Sequence, residues 1–326
     1  RGEPVAIKSV KMKESSREVS VLLRMRGGAN VVQLLGTFPG STDGPVEDRM
    51  LNLVLEYVPD TLQRIIKHHR ASGTMMEMFF IRLYMCGLLR GLACVAGLGI
   101  VHRDIKPANL LVDSATHQLK VCDFGTARLP EAQEAGLLYV CSRYYRAPEL
   151  ILSTPSYSTP VDLWSCGCVL AEMMVCQPLF PGRDGVDQLR AIAEVLGTPT
   201  PSELYAMNPQ YDAAVGFGPP VPAQPWERVV SRPDVSREAV DLLSQLLQYD
   251  PAARPHAVEA LAAPLFDELR RDVTQGALFA LSPAELALAT PEVQERLRGA
   301  HMQRRPSTPP GSPARGAQML ALRWNG

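Results

Sequence analysis

The sequence has no excess of charge of either sign. Its 326 residues include 33 lysines and arginines and 34 aspartates and glutamates, so the formal net charge is -1. Attraction to nucleic acid or to an anionic membrane requires a strongly basic surface. We therefore expect no nucleic-acid partner and no membrane partner, and any recognition of phosphate must depend on a few local cations.

The sequence also lacks an uninterrupted apolar run long enough for a membrane span. Its two most apolar stretches, 75–101 and 161–182, are interrupted by Arg82, Arg90 and Glu172, and a span needs about 18 or more apolar residues. The first few residues do not have the pattern of a secretory signal. We expect a globular protein of the cytoplasm, with the nucleus as a second location.

The cysteines are not spaced as metal ligands. The chain has seven of them, an odd number, and most lie inside apolar runs. The closest pair, Cys166 and Cys168, has no second pair at the spacing of a zinc site. We interpret the cysteines as reduced core residues, and we expect no zinc site.

A cluster of polar residues has the chemistry that phosphoryl transfer requires. The stretch 102–109, His-Arg-Asp-Ile-Lys-Pro-Ala-Asn, contains Asp104, Lys106 and Asn109, and Asp123 follows the next short apolar run. Phosphoryl transfer needs a carboxylate to orient the attacking hydroxyl, a cation near the transferred phosphate and oxygen ligands for Mg²⁺. Asp104 and Lys106 supply the first two, and Asn109 and Asp123 supply the metal ligands.

Hydrophobic periodicity divides the chain into a small part with strands and a larger part with helices. β-Branched and apolar runs predict strands over 5–10, 31–38 and 51–57, with a helix over 15–25 after the first strand. Beyond Pro59 the apolar spacing becomes helical. The later predictions are helices over 75–96, 161–174 and 239–248, strands over 110–113 and 118–122, a functional loop over 127–145, and a proline-rich connection over 198–233.

Lys8 lies in the first predicted strand. A lysine on a buried strand is costly unless an acidic group pairs with it. Glu18, on the helix that follows, is the first candidate partner, and Glu14 is the second. The ribbon of two short strands around residue 115 should hold Asn109 and Asp123 near one another.

Four motifs stand in an order that resembles the eukaryotic protein kinases. They are Val5-Ala6-Ile7-Lys8, the stretch 102–109, Asp123-Phe124-Gly125 and Ala147-Pro148-Glu149. More closely, the segments 139–150, 181–189, 195–200 and 207–211 are similar to the glycogen synthase kinase 3, or shaggy, branch. Cyclin-dependent and mitogen-activated kinases are the alternative, but they share only the end of the segment 139–150.

The resemblance implies an α+β, two-lobed kinase fold. The small lobe with an antiparallel sheet would be residues 1–58, the large helical lobe 59–302, and a disordered tail 303–326. ATP and Mg²⁺ would bind between the lobes. The adenine would contact Leu55, Glu56 and Val58, with Leu55 controlling access behind it, and Lys8 would hold the α- and β-phosphates while it pairs with Glu18.

The resemblance also implies a serine/threonine kinase that acts on protein substrates. The branch prefers substrates that already carry a phosphate four residues C-terminal to the target. Three basic residues grip that phosphate, and the matching positions are Arg17, Arg103 and Arg128. Tyr139 matches an activating phosphotyrosine. Glu149 and Arg254 match a buried ion pair of the large lobe.

One expected part is absent from the sequence. The glycine-rich loop that covers the ATP phosphates lies on two strands before the lysine strand, and only Gly2 is found there. A kinase whose N-terminal portion lies outside this sequence and a non-catalytic scaffold (a pseudokinase) both fit. We favour the kinase because all four polar catalytic side chains are present. A small lobe with only three strands would have an unpaired edge, which predicts weak ATP binding and poor solubility.

Two further hypotheses concern partners and the tail. Residues 195–211 resemble the helix and loop through which the family docks helical peptides of scaffold proteins. The alternative is that the apolar side of this helix packs in the hydrophobic core, as such sides often do. In the tail, Thr308 and Ser312 are four residues apart, which is the spacing of a primed substrate.

Overall fold

The computed structural model describes residues 2–40, 49–129, 142–154, 158–211 and 220–302. A three-stranded sheet with one helix forms the small lobe, and a mostly helical large lobe follows. The small lobe consists of β1 (Val5–Lys11), α1 (Met12–Arg24), β2 (Leu34–Pro39) and β3 (Met50–Glu56). The described elements of the large lobe are β4 (Asp60–Thr61), α2 (Leu62–Ser72), α3 (Met78–Gly97), β5 (Leu110–Asp113), β6 (Gln118–Val121), α4 (Pro148–Ile151), α5 (Pro160–Val175), α6 (Gly185–Leu196), α7 (Pro201–Met207), α8 (Trp226–Val229), α9 (Arg237–Leu246), α10 (Ala257–Leu261), α11 (Asp267–Arg271), α12 (Pro283–Leu286) and α13 (Pro291–Met302).

The small-lobe sheet is antiparallel, with β3 between β1 and β2. Along β1, side chains alternate between exposed and half-buried positions, and Lys8 is one of the half-buried ones. The apolar side of α1 is covered, and Val21 and Leu22 on it are buried. This helix begins at Met12, earlier than predicted, because β1 passes into it through the extended residue Lys11 with no turn between them.

The strand β2 begins at Leu34, three residues later than predicted. The reason is that the residues before it pair with the other lobe. Val31 forms an isolated parallel bridge with Val121 of β6, and Val32 N–H donates to Val121 O at 2.9 Å. Their strand-like composition therefore reflects contact between the lobes and not membership of the small-lobe sheet.

The helices α3 and α5 form the centre of the large lobe, and most of their side chains are buried. Among the described helices, α3 alone is long and apolar enough to cross a membrane by length and composition. However, 83% of its most apolar 18-residue window is buried inside the fold, which is the environment of a core helix. It begins at Met78 because the residue before it, Glu77, has an extended backbone.

The strands β4, β5 and β6 form a second antiparallel sheet at the edge of the large lobe. Asn109 immediately precedes β5, and Asp123 follows two residues after β6. The Cys122 N–H donates to Asn109 O at 3.0 Å, so the two predicted metal ligands lie at neighbouring ends of one ribbon, as the sequence indicates. The strand β6 ends at Val121, one residue earlier than predicted. The backbone N–H of Cys122 is hydrogen-bonded to Asn109, and Asp123 no longer has an extended backbone.

The predicted proline-rich connection contains two short helices in its described part. The helix α7 starts at Pro201, and Thr200 and Glu203 form a capping box around its first turn. The helix α8 follows Pro225, which is its N-cap. Proline is well tolerated at the first helical position, where the backbone N–H has no helical partner. A proline-rich connection can therefore contain helices that begin at or just after a proline.

Two buried ion pairs join distant parts of the large lobe. Arg254 donates to both carboxylate oxygens of Glu149, at 2.6 and 2.8 Å, and neither side chain is more than 2% exposed. The predicted Glu149–Arg254 pair is thereby confirmed. Arg90 of α3 pairs with Glu285 of α12 at 2.6 Å. The second pair fixes the C-terminal helices to the core.

Candidate active site

The carboxylate of Asp104 is the centre of a hydrogen-bonded network. Its Oδ2 accepts from Lys106 Nζ at 2.6 Å and from Asn109 Nδ2 at 2.9 Å. Its Oδ1 accepts from the backbone N–H of Ser142 at 2.9 Å and from the Ser142 hydroxyl at 3.0 Å. Lys106 Nζ also donates to Ser142 Oγ at 2.8 Å. Both oxygens of Asp104 are therefore oriented, and a hydroxyl group lies between the carboxylate and the lysine.

The backbone before Asp104 is held by a buried aspartate of α5. Asp162 Oδ2 accepts from His102 N–H at 2.7 Å, and its Oδ1 accepts from Arg103 N–H at 2.8 Å. Arg103 has a φ of 69°, a left-handed conformation that residues other than glycine rarely adopt. Burial raises the pKa of Asp162, and the two N–H donors oppose that rise. Asp162 thus stabilises the turn that aims Asp104.

His102 connects this loop with the segment that carries Asp123. Its Nε2 lies 3.0 Å from Cys122 O, and its Nδ1 accepts from Asp104 N–H at 3.1 Å. A neutral ring with the proton on Nε2 satisfies both contacts. The Phe124 ring packs against it edge-on, with 4.8 Å between ring centres. Burial raises the pKa of the neighbouring Cys122 thiol to about 12, so this group is protonated at neutral pH and does not act as a nucleophile.

Lys8 joins the small lobe to Asp123. Its Nζ donates to Glu18 Oε1 and Oε2 at 2.7 and 2.9 Å, and to Asp123 Oδ1 at 2.7 Å. The predicted Lys8–Glu18 contact is therefore present, while the side chain of Glu14 lies outside the described part of the chain. Burial lowers the pKa of Lys8, but the hydrogen bonds with Asp123 and Glu18 outweigh it and the pKa is raised. Burial likewise raises the pKa of Asp123, but Lys8 outweighs it and the pKa is lowered.

The residues predicted to bind Mg²⁺ have suitable chemistry for it. Asn109 Nδ2 donates to Asp104 O at 2.8 Å and to Asp104 Oδ2, which leaves its amide oxygen as the atom that could bind a cation. The Asp123 side chain is 44% exposed, and its φ of 63° turns the chain away from β6. One carboxylate, one amide oxygen and the phosphates of a nucleotide form the kind of oxygen set that Mg²⁺ prefers.

The predicted adenine contacts lie at the end of β3 and just after it. Leu55 and Val58 are half-buried, and Leu55 packs against the hydrophobic core. The Glu56 side chain bonds to Lys120 Nζ at 2.5 Å and to Gln33 N–H at 2.8 Å. The Glu56 N–H donates to Gln33 O at 3.0 Å, so the backbone carbonyl of Glu56 is the group left for a nucleotide contact.

Two of the three arginines predicted to bind a priming phosphate, Arg103 and Arg128, lie on adjacent segments of the chain. Val101 and Arg128 form an isolated antiparallel bridge, and Arg103 Nε donates to Thr126 O at 2.5 Å. Arg103 is only 1% exposed, so most of its side chain is not accessible to a phosphate in solution. Arg17 is half-exposed on α1. Tyr139, the predicted phosphotyrosine, lies outside the described residues.

Sequence reasoning missed two residues that shape this site. Ser142 contacts both Asp104 and Lys106, and Asp162 holds the backbone of His102 and Arg103. A short polar residue shortly before Ala147-Pro148-Glu149 was the available signal for Ser142. For Asp162 the signal was a carboxylate at the start of an otherwise apolar helix, since such a group needs donors when it is buried.

The family model described as protein kinase domain matches residues 1–266. This match and the two-lobed architecture confirm the predicted resemblance to protein kinases and the predicted α+β fold. Members of this family use ATP, usually with Mg²⁺, and phosphorylate proteins. The match covers most of the chain and includes every residue of the network around Asp104. The chain belongs to the protein kinase domain family.

Proposed function

We propose that the chain is a serine/threonine kinase that transfers the γ-phosphate of ATP to protein hydroxyl groups. The observation that carries this proposal is the position of the Ser142 hydroxyl, 3.0 Å from Asp104 Oδ1 and 2.8 Å from Lys106 Nζ. An aliphatic hydroxyl on a short side chain fits between the carboxylate and the cation that the transfer needs. A substrate serine or threonine can offer the same group to the same pair.

Each polar residue of the site has one role in this proposal. Asp104 orients the substrate hydroxyl and takes up its proton, and Lys106 neutralises the γ-phosphate as charge develops. Lys8 holds the α- and β-phosphates, and Glu18 keeps its ammonium group in place. Asn109 and Asp123 hold Mg²⁺, which neutralises phosphate charge when it is bound. The adenine contacts Leu55, Val58 and the backbone of Glu56.

The choice between an active kinase and a non-catalytic scaffold can be tested by nucleotide binding. Lys8 contacts both Glu18 and Asp123, which places its ammonium group beside the carboxylate that is predicted to bind the metal. We expect the chain to bind Mg²⁺-ATP and an Asp123→Asn variant to bind it at least tenfold more weakly, because a charged ligand is lost. Absence of binding by both proteins would favour the scaffold.

We further propose that the substrates are primed, as in the glycogen synthase kinase 3 branch that the sequence resembles. The support is that the segments which carry Arg103 and Arg128 lie side by side, joined by the bridge between Val101 and Arg128 and by the contact of Arg103 with Thr126. Guanidinium groups suit phosphate because they donate hydrogen bonds in a planar fork. Arg17 on α1 would complete the pocket from the small lobe.

The test compares three peptides of one sequence. The first has a serine with a phosphoserine four residues C-terminal to it, the second lacks that phosphate, and the third has tyrosine at the target position. We expect kcat/KM to be highest for the primed peptide and lowest for the tyrosine peptide. Equal rates on the first two would favour a kinase of the cyclin-dependent or mitogen-activated type.

Arginine variants identify the pocket itself. Arg17→Gln and Arg128→Gln should each lower kcat/KM for the primed peptide about tenfold to 100-fold, since a hydrogen bond between charged groups contributes about 1.5–3 kcal/mol. They should leave the unprimed peptide nearly unaffected. Arg26→Gln, an exposed arginine after α1, is the control. Equal losses on both peptides would show that these arginines act on folding and not on the phosphate.

A docking surface for scaffold peptides remains a separate proposal. The inner side of α6 is core, with Leu189 and Ile192 buried, whereas Val186 is 48% exposed and Tyr205 of α7 is 68% exposed. The prediction for residues 195–211 is thus supported by the exposed aromatic ring of Tyr205 within that segment. Tyr205→Ser should weaken binding of an amphipathic helical peptide without changing turnover of a short substrate, and unchanged binding would contradict the proposal.

A further inference from the structure

A pair of charged side chains joins the two lobes beside the nucleotide site. Glu56 is the last residue of β3, and its Oε2 accepts from Lys120 Nζ of β6 at 2.5 Å. The two side chains are only 22% and 17% exposed, respectively. The other carboxylate oxygen of Glu56 accepts from Gln33 N–H at 2.8 Å. Two donors from two different segments therefore hold this carboxylate.

A row of hydrogen bonds continues from this ion pair along β6. Val32 N–H donates to Val121 O at 2.9 Å, and Val121 N–H donates to Asn30 O at 2.8 Å. The Asn30 side chain donates to Leu119 O at 2.8 Å. Residues 30–32 thus lie against Leu119 and Val121 of β6, and Gln33 is linked to Lys120, between those two, through Glu56. We call this row the interlobe seam, and the ion pair is its charged end.

The packing of α3 fixes the seam in position. A Cβ added at Gly91 would lie 2.7 Å from Asn30 O and 2.9 Å from Val121 Cγ2. Glycine is therefore required there for the close approach of α3 to the seam. The uncharged part of the seam is embedded in the core, whereas the ion pair can be altered without disturbing α3.

The two strands that the pair connects both lead into the nucleotide site. Lys120 lies three residues before Asp123, and Glu56 lies in the segment that is predicted to contact adenine. The two side chains bond to each other, so they do not act on the nucleotide directly. By holding β3 against β6, they fix the spacing between the adenine segment and the Asp123 carboxylate, to which Lys8 donates. Such preorganisation favours binding because less of the protein has to become ordered.

We propose that the Glu56–Lys120 ion pair is a positioning contact that raises the affinity of the site for Mg²⁺-ATP. The proposal rests on the use of ATP by the protein kinase family and does not depend on which protein substrate is phosphorylated. Removing the pair should weaken Mg²⁺-ATP binding about twofold to fivefold, the range expected from the loss of one such ion pair.

A double-mutant cycle on the whole chain tests the proposal. Glu56→Gln keeps an oxygen for Gln33 N–H but removes the charge, and Lys120→Met removes the ammonium group at similar length. Each should raise the Kd of Mg²⁺-ATP, measured by titration calorimetry. The Kd of the double variant should not exceed the higher of the two Kd values of the single variants. Lys120→Arg keeps the charge and should restore binding. Lys67→Met, at an exposed lysine of α2, is the matched control.

Amide hydrogen exchange gives a second readout that needs no nucleotide. The Gln33 N–H donates its hydrogen bond to Glu56, so this amide should exchange faster in Lys120→Met. The exchange rate of the Leu89 amide in α3 should not change. An unchanged or lower Kd in Lys120→Met, or additive effects in the double variant, would overturn the proposal. If the unaltered chain binds no Mg²⁺-ATP, the proposal fails as well. A chain that binds ATP but ignores the primed peptide contradicts only the proposed substrate preference.

Discussion

The substitution Asp162→Asn tests whether a buried carboxylate in α5 positions the catalytic loop. Asp162 accepts the N–H groups of His102 and Arg103 with separate oxygens, at 2.7 and 2.8 Å. Asparagine has only one side-chain oxygen, so one of these N–H groups would face an NH₂ group instead. The shape of the side chain hardly changes, so the effect comes from these two hydrogen bonds and from the loss of the buried charge.

The expected magnitude follows from those contacts. A buried donor left without an acceptor costs about 1–3 kcal/mol. The neutral amide avoids the desolvation of a buried charge, which offsets part of this loss. Arg103 would also lose support for its φ of 69°, a conformation whose strain is of order 1–3 kcal/mol. We expect the free energy of unfolding to fall by about 1–3 kcal/mol, and kcat to fall at least tenfold because Asp104 moves from its aligned position.

Urea unfolding and steady-state kinetics measure the two effects separately. The Kd of Mg²⁺-ATP should change little, because Asp162 does not contact Lys8 or Asp123. Asp241→Asn is the matched control: its carboxylate is 57% exposed and lies 3.8 Å from Arg237, so we expect a change within about 0.5 kcal/mol. The positioning role would be refuted if Asp162→Asn changed kcat by less than a factor of three and changed the unfolding free energy by no more than the control variant does.

The remaining predictions concern the other charged contacts. Glu149→Gln leaves the buried guanidinium of Arg254 without its counter-charge and should lower the unfolding free energy by about 3–5 kcal/mol. A loss of less than about 1 kcal/mol in urea unfolding would contradict the claim that Glu149 and Arg254 form a buried ion pair. For Asp123, whose pKa Lys8 holds below its ordinary value, the stabilisation is present above that ordinary pKa and is lost as the pH falls through the lower pKa of the folded state. The difference in thermal stability between the chain and Asp123→Asn should therefore be constant from about pH 5 to 9 and shrink below about pH 4, and a difference that shrinks near pH 7 would be inconsistent with this assignment.

The sequence predicted best those features that local chemistry determines. Lys8 on a half-buried strand requires an acid, and Glu18 on the next helix is close enough to provide it. The short ribbon β5–β6 places Asn109 and Asp123 at adjacent ends, because two strands joined by a tight turn have no other arrangement. The residues around Asp104 were found from the chemistry that phosphoryl transfer requires, and the Glu149–Arg254 pair was found through the family resemblance.

Features that depend on distant segments were not predictable in the same way. Val31 and Val32 have strand-like composition, but only the packed fold decides that they pair with β6 and not with β3. Asp162 is 60 residues from the backbone that it holds, and no spacing rule connects the two. Glu56 was predicted to contact adenine, whereas its side chain forms the charged end of the interlobe seam.

The most direct test of the central claim is transfer of labelled γ-phosphate from ATP to the primed serine peptide by the whole chain and by Asp104→Asn. The amide keeps the size of Asp104 but cannot take up the proton of the attacking hydroxyl. We predict that the unaltered chain labels the serine, and that Asp104→Asn labels it at least 100-fold more slowly while it binds Mg²⁺-ATP with similar affinity. Equal labelling by both proteins, or none by the unaltered chain at saturating Mg²⁺-ATP, would contradict the assignment of this network as a kinase active site.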